Sequence, residues 1–167
     1  MLQATLRRVA AGGPREATLS FADDAGRHHV VVPDWRALAD VRPAAMVGFF
    51  GQARDDVDHA AIIALEHDIV GRAAAFPGLL AYHNAQLESG RWGNLVVFRA
   101  AFGTAQVTVD PVHAEAVART PVHYRSLRLH RGVLADGCLG EAPPLLHETL
   151  YLDFGEQPAW RALRGYA

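Results

Sequence analysis

The chain has 167 residues, of which 50% are hydrophobic and 20% are charged, and its formal net charge is -2. This balance is typical of a single soluble globular domain and excludes a disordered, collagen-like or coiled-coil chain. The small net charge provides no basic field for nucleic acid and no polybasic membrane anchor, so neither partner is expected.

Cysteine usage and the N-terminal residues predict a cytoplasmic protein. The single cysteine, Cys138, cannot form an internal disulfide, which favours a reducing compartment. Residues 1–8 contain two arginines with no apolar segment after them, so they do not resemble a signal peptide. The most apolar stretch, residues 44–50, is too short to span a bilayer.

The first 43 residues are predicted to form an N-terminal β extension. Residues 2–7 alternate apolar and polar side chains, which predicts a half-buried strand that ends at Gly12–Gly13–Pro14. Residues 17–21 and 28–32 are rich in β-forming residues and flank a turn of aspartates and glycine. This pattern predicts a hairpin.

A short helix separates the extension from the next segment. Asp34 is a good N-cap for that helix, and Arg42–Pro43 is the predicted boundary. Residues 46–52 then form an apolar strand. Apolar residues recur at helical spacing over 57–75, after three aspartates that suit a helix N-terminus, and Phe76–Pro77–Gly78 ends the helix.

Two strands, a helix and a further strand complete this segment. Residues 79–87 and 94–100 alternate as strands, and a helix is predicted over 107–120 with Asp110 as its N-cap. Residues 124–134 form the last strand. The order β-α-β-β-α-β predicts a ferredoxin-like α+β core, an antiparallel four-stranded sheet with both helices on one face.

The C-terminal tail is predicted to contain a strand over 147–154 and a short helix over 157–164. The predicted organisation is therefore an N-terminal β-hairpin extension (1–43), the α+β core (44–134) and a strand-helix tail (135–167) packed on the same domain.

The core segment resembles the dimeric α+β barrel superfamily, in particular its antibiotic-biosynthesis-monooxygenase-like and stress-responsive members. The resemblance covers about 90 of the 167 residues. It rests on Val47–Phe50, Phe76–Gly78, Leu79–Asn84, Trp92–Phe98 and Pro111–Ala114.

This resemblance implies a homodimer with a pocket in each subunit between the sheet and the helices. Both sheet faces carry apolar residues, and a second subunit could cover the face without helices through a two-fold interface. The flanking segments could cover that face instead. Members of the superfamily include cofactor-independent quinol oxygenases, haem-degrading oxygenases, isomerases and proteins of unknown role.

Polar side chains on three core strands are the candidate site. No histidine pair has metal-ligand spacing and no phosphate-binding loop is present, so neither a metal nor a cofactor is expected. The predicted catalytic residues are His83, Asn84 and His130, and the predicted ligand-binding residues are Trp92, Asn94 and Arg128.

Three functions are compatible with these residues. The first is a cofactor-independent monooxygenase-like enzyme that binds a small aromatic or quinol-type compound, in which a polar side chain deprotonates a phenolic hydroxyl in an apolar pocket. The second is a non-catalytic ligand-binding or interaction module. The third is haem binding through one histidine.

Overall fold

One antiparallel sheet of eight strands organises the chain. The computed structural model describes residues 1–12, 16–73, 75–87, 90–100, 110–155 and 158–167. The strands follow the order β1-β2-β4-β5-β3-β6-β7-β8. Their bounds are Thr18–Asp23 (β1), Gly26–Val31 (β2), Ala44–Ala53 (β3), Leu79–Leu87 (β4), Arg91–Phe98 (β5), Tyr124–Leu134 (β6), Leu145–Asp153 (β7) and Trp160–Gly165 (β8).

The four central strands confirm the predicted ferredoxin-like core. They are connected through helix α3 (Ala60–Ala73) and helix α4 (Pro111–His123), and their spatial order is β4-β5-β3-β6. Helix α3 packs Val70 and Ala73 against the sheet, and α4 packs beside α3 on the same face. Parts of the predicted turns at Gly13–Pro14 and Glu88–Ser89, and the predicted helix start at 107–109, lie outside the described residues.

The N-terminal residues form a helix, so the predicted strand over 2–7 is wrong. Helix α1 (Leu2–Ala11) buries Leu2, Thr5 and Leu6 on one face. The sequence of this segment fits both the periodicity of a helix and the alternation of a strand. The helix forms because its buried side chains pack against an apolar face of the sheet. Residues 1–43 therefore contain two helices in addition to the predicted hairpin.

The second helix and the hairpin agree with the sequence prediction. Helix α2 (Trp35–Asp40) begins after Asp34, whose side chain accepts hydrogen bonds from the backbone N–H groups of Arg36 and Ala37. The hairpin β1–β2 extends the sheet beyond β4, since β2 pairs with β4.

Two predictions near the C-terminus are wrong. Helix α4 continues past Thr120 to His123 with Pro121 inside it, because a proline in the last turn removes only one backbone donor. The residues predicted as a final helix form β8 instead, which pairs with β7 from Glu148↔Gly165 to Asp153↔Trp160. The open edge of β7 provides backbone partners that an isolated short helix lacks.

The two faces of the sheet carry separate apolar clusters. Helices α1 and α2 cover one face through Leu2, Leu6 and Leu38, which pack on strand residues such as Met46 and Val97. The opposite face, under α3, is built from Val31, Ala73, Leu79, Tyr82 and Phe98. The face that a second subunit covers in a dimeric barrel is thus partly covered by this chain's own N-terminal helices. In the described part of the chain, no helix is both long and apolar enough to cross a membrane.

Candidate functional site

An open cleft of about 660 Å³ lies beside the N-terminus of α1, on the α1 side of the sheet. Residues of β3 and β6 form its floor, and the start of β5 and the β1–β2 turn form its rim. It adjoins a second cleft of about 270 Å³, and the two share Met1, Phe50 and His130. Ligand sites for small molecules typically occupy roughly 300–1,000 Å³.

The side chain of Phe50 gives the cleft a flat apolar wall. Phe50 on β3 is 38% exposed, and its ring meets the ring of His130 edge-on at a centroid distance of 5.7 Å. Trp92, at the start of β5, borders the cleft and is half-buried, but alternation along β5 places its side chain on the α3 side of the sheet, the same face as Asn94. A Cβ on Gly93 would stand 3.2 Å from the Phe50 ring, so the missing side chain lets that ring lie over β5. The face of the Phe50 ring suits a planar aromatic ligand.

Arginine provides the positive charge of the cleft. Arg128 on β6 and Arg91 on β5 both line it, and both are exposed. No carboxylate among the residues that the structure describes forms an ion pair with Arg128. Its guanidinium group can therefore pair with an anionic oxygen of a ligand.

His130 is held at the cleft by a hydrogen-bonded chain from the C-terminal strands. Its Nδ1 lies 2.8 Å from Oγ1 of the buried Thr149, and that hydroxyl lies 3.1 Å from the hydroxyl of Tyr166. Burial and the nearby charge of Arg128 lower the pKa of His130, so the neutral imidazole predominates at pH 7. Nε2 has no hydrogen-bond partner in the described part of the chain.

The two hydroxyls give His130 two hydrogen-bonding arrangements. When Nδ1–H donates to Thr149, the hydroxyl of Thr149 donates to Tyr166 and Nε2 presents a lone pair. When Tyr166 donates to Thr149, that hydroxyl donates to Nδ1 and Nε2 carries the hydrogen. The hydrogen bond with Thr149 lowers the pKa of Tyr166. His130 can therefore accept a proton at Nε2, the function of a general base.

His83 lies away from this cleft. It is on β4, has no exposed surface, and contacts His28 of β2 and the backbone carbonyl of Leu2. Burial, together with the neighbouring His28, lowers the pKa of His83 to about 4. The ring is neutral near pH 7 and has no access to a ligand in the cleft.

Asn84 and Asn94 lie together in a polar cluster with Tyr82 and Glu66, on the α3 side of the sheet. Asn84 donates to Oδ1 of Asn94 at 2.7 Å, and Asn94 donates to the hydroxyl of Tyr82 at 3.3 Å. That hydroxyl donates to Glu66 of α3 at 3.4 Å. Burial raises the pKa of Glu66 to about 7, against hydrogen bonds from Tyr82 and Asn84 that lower it.

The six predicted site residues therefore divide into three groups. Arg128 and His130 line the cleft, and Trp92 borders it. The two asparagines belong to the polar cluster under α3, although Asn94 also borders the smaller cleft, and His83 is buried beneath α1.

Sequence reasoning missed Thr149 and Glu66, although a signal existed for each. The residues at 147, 149, 151 and 153 are polar and alternate with leucines at 150 and 152, so β7 has a polar face that can meet His130. Glu66 falls on the helical stripe that contains Ile62, Ile69 and Val70, which places a carboxyl group on the apolar face of α3.

The sheet order defines a ferredoxin-like α+β protein, and solved structures with related folds exist. A protein of unknown function from Nitrosomonas europaea is 15% identical over 63% of this chain and 98% of its own, with a TM-score of 0.49. The heme-degrading enzyme LmHde from Listeria monocytogenes is 10% identical over 69% of this chain and 80% of its own, with a TM-score of 0.41.

A third structure comes from the group that the sequence resembles. It is an uncharacterized ferredoxin-fold protein related to antibiotic biosynthesis monooxygenases, also from Listeria monocytogenes. It is 9% identical over 71% of this chain and 78% of its own, with a TM-score of 0.37. No protein-family model matches the chain, and no curated protein matches it. At these identities the similarity concerns the fold alone.

Proposed function

We propose that the chain binds a small aromatic compound with a phenolic hydroxyl, of the quinol type, in the cleft beside α1, and acts on it as a cofactor-independent monooxygenase-like enzyme. The observation that carries this proposal is the convergence of a base, a cation and an aromatic ring on one cleft: His130, Arg128 and Phe50. Few polar groups among apolar walls are typical of ligand sites.

Each side chain has a distinct part in binding. Phe50 packs against the aromatic ring of the ligand, and Nε2 of His130 takes the phenolic proton. The resulting phenolate oxygen pairs with Arg128. The hydroxyl of Thr149 accepts the hydrogen bond from Nδ1–H of the protonated His130 ring and in turn donates to the hydroxyl of Tyr166, which stabilises that ring.

The proposed reaction needs no external reductant. A ring carbon next to the phenolate oxygen bonds to dioxygen and forms a hydroperoxide. The O–O bond then breaks as water leaves with the hydrogen of that carbon, which becomes a carbonyl carbon. A quinol and dioxygen thus give a hydroxyquinone and water. The ring loses four electrons, and dioxygen gains four.

We also propose that the chain forms a homodimer. Large apolar side chains remain exposed on the outer strands, since Leu145 is 57%, Trp160 53% and Leu163 60% exposed. An exposed apolar surface of this kind favours association. Light scattering at micromolar concentration is expected to give twice the mass of one chain, and the mass of a single chain contradicts this proposal.

The test of the proposed function is oxygen consumption with a bicyclic hydroquinone, with mass spectrometry of the product formed under ¹⁸O₂. One labelled oxygen atom is expected in the hydroxyquinone. His130→Gln is expected to lower turnover about 10²-fold or more, because it removes the base. Arg128→Met is expected to weaken hydroquinone binding about tenfold, because it removes a charge-assisted hydrogen bond.

Matched variants control for general damage. Arg125→Met changes an exposed arginine on the opposite face of the same strand, and His147→Gln changes an exposed histidine of β7. Both are expected to behave like the natural chain. Binding without oxygen consumption would favour a ligand-binding module over an enzyme. A Soret band in the purified protein would favour haem, and equal effects of Arg125→Met and Arg128→Met would overturn the assignment of the cleft.

A further inference from the structure

A buried chain of hydrogen bonds connects α1 to the β1–β2 hairpin. The backbone carbonyl of Leu2 lies 3.2 Å from Nδ1 of His83, and Nε2 of His83 lies 3.0 Å from Nδ1 of His28. Nε2 of His28 lies 2.9 Å from Oδ1 of Asp23, whose other oxygen pairs with Arg8 of α1. Both rings are buried, with 0% of His83 and 3% of His28 exposed.

The two ends of this chain determine how many protons it needs. A carbonyl and a carboxylate only accept hydrogen bonds, so each of the three contacts needs a hydrogen supplied by a ring nitrogen. Three hydrogens are required, but two neutral imidazoles carry only two. Any neutral arrangement leaves two lone pairs facing each other inside the protein, where an unmade hydrogen bond is costly.

We propose that the pair His28 and His83 carries one proton in addition to the two N–H hydrogens of the neutral rings. This proton completes the hydrogen-bonded connection between α1 and the β1–β2 hairpin, which we call the latch. The charges around the pair are consistent with a single added proton. The carboxylate of Asp23 faces it from β1, and Arg8 reaches that carboxylate from α1. The amino group of Met1 adds a positive charge near His83.

The ring of His28 is placed to hold the proton. It contacts the carboxylate directly and stacks on the ring of Phe21, with centroids 4.9 Å apart and an interplanar angle of 18°. A protonated ring gains from stacking on an aromatic face. A second added proton would place two cations in contact, and burial together with His28 lowers the pKa of His83 to about 4.

Loss of the shared proton removes one of the three contacts. The contact between His83 and Leu2 is the longest of them, and it holds the first turn of α1, which begins next to Met1 at the wall of the cleft. Deprotonation of the pair therefore loosens that turn and makes the wall sensitive to pH. The latch depends on the buried pair alone and stands apart from the reaction proposed for the cleft.

The experiment is NMR of the full chain with ¹⁵N-labelled histidine, recorded over a pH series together with amide hydrogen exchange. Three ring N–H hydrogens are expected on His28 and His83 together at the acid end, one of which is lost in a single step as the pH rises. Amide protection in α1 is expected to fall with that step, whereas protection in α3 stays constant. Single substitutions of His28 and His83 by Gln assign the signals.

Asp23→Asn and Asp24→Asn form a matched pair. An amide at position 23 can donate to a neutral His28, so the step is expected to move about one pH unit or more toward acid. Asp24 is the exposed neighbour in the same turn, and its substitution is expected to leave the step unchanged. One hydrogen on each ring throughout the folded pH range, or equal behaviour of the two variants, overturns the shared proton. A step without any change in α1 exchange overturns the latch.

Discussion

The two faces of the central sheet bury ionisable groups of opposite kinds. Under α1 and α2 the cluster is mostly aliphatic, and His83 is buried on the same face, where burial lowers its pKa to about 4. Under α3 the apolar cluster is smaller and lies next to Glu66, whose pKa burial raises to about 7. Burial favours the neutral form of both groups, so one face loses stability in acid and the other loses it toward neutral pH.

These opposing effects overlap between about pH 4.5 and 6.5. The lower limit is the usual pKa of a glutamate side chain in an unfolded chain, and the upper limit is that of a histidine side chain. In that window the unfolded chain binds more protons at His83 and fewer at Glu66 than the folded chain does. The two slopes therefore largely cancel, and single substitutions are needed to separate the faces.

The largest effect is expected from Leu6→Ala on the α1 face. Leu6 has no exposed surface, so its truncation leaves a cavity and should lower the free energy of unfolding by about 2–5 kcal/mol. Urea denaturation measures this loss. Val117→Ala on α4 is the control, because Val117 is 56% exposed and should change stability by less than about 0.5 kcal/mol. Equal losses in the two variants would show that α1 does not pack on the sheet in solution.

His83→Gln sharpens the acid side of the comparison. In the natural chain His83 stays neutral down to about pH 4, whereas the unfolded ring takes a proton below about 6.5. That difference removes up to about 3 kcal/mol of stability as the pH falls through this window, and the variant should lose that dependence. Denaturation at a series of pH values tests it, with exposed His147→Gln as the control. A variant that keeps the natural slope contradicts the prediction.

Glu66→Gln tests the α3 face and should have the smallest effect. The folded carboxyl keeps its proton up to about pH 7, so its contribution is present in acid and is lost as the pH rises from about 4.5 to 7. Because Glu66 is only half-buried, the loss should be about 1–2 kcal/mol. The free energy of unfolding of the variant should therefore change less with pH across this window than that of the natural chain. The control is Glu115→Gln at an exposed position of α4, whose stability should depend on pH as that of the natural chain does. If the natural chain and both variants show the same pH dependence, Glu66 does not have the raised pKa assigned to it.

The face of the sheet that each side chain meets also explains how much of the candidate site could be predicted from the sequence. Arg128 and His130 lie on β6 and line the cleft, and Trp92 borders it from β5, with β3 between these two strands. His83 and Asn84 are adjacent in sequence and so must point to opposite faces, but alternation alone does not say which face each meets. The partner of His83 is His28, 55 residues away, and no local pattern connects them.

The sequence by itself determined the elements whose signals are local. The bounds of β4 and β6, the caps at Asp34 and Asp110 and the β-α-β-β-α-β order all follow from side-chain periodicity and from hydrogen bonds within a few residues. The tertiary structure alone decided the ends of the chain. Residues 2–11 became a helix because a sheet face was there to cover, and residues 160–165 became a strand because β7 offered an open edge. Short segments take the conformation that their distant partners stabilise, since their own backbone preferences differ by less than the energy of that packing.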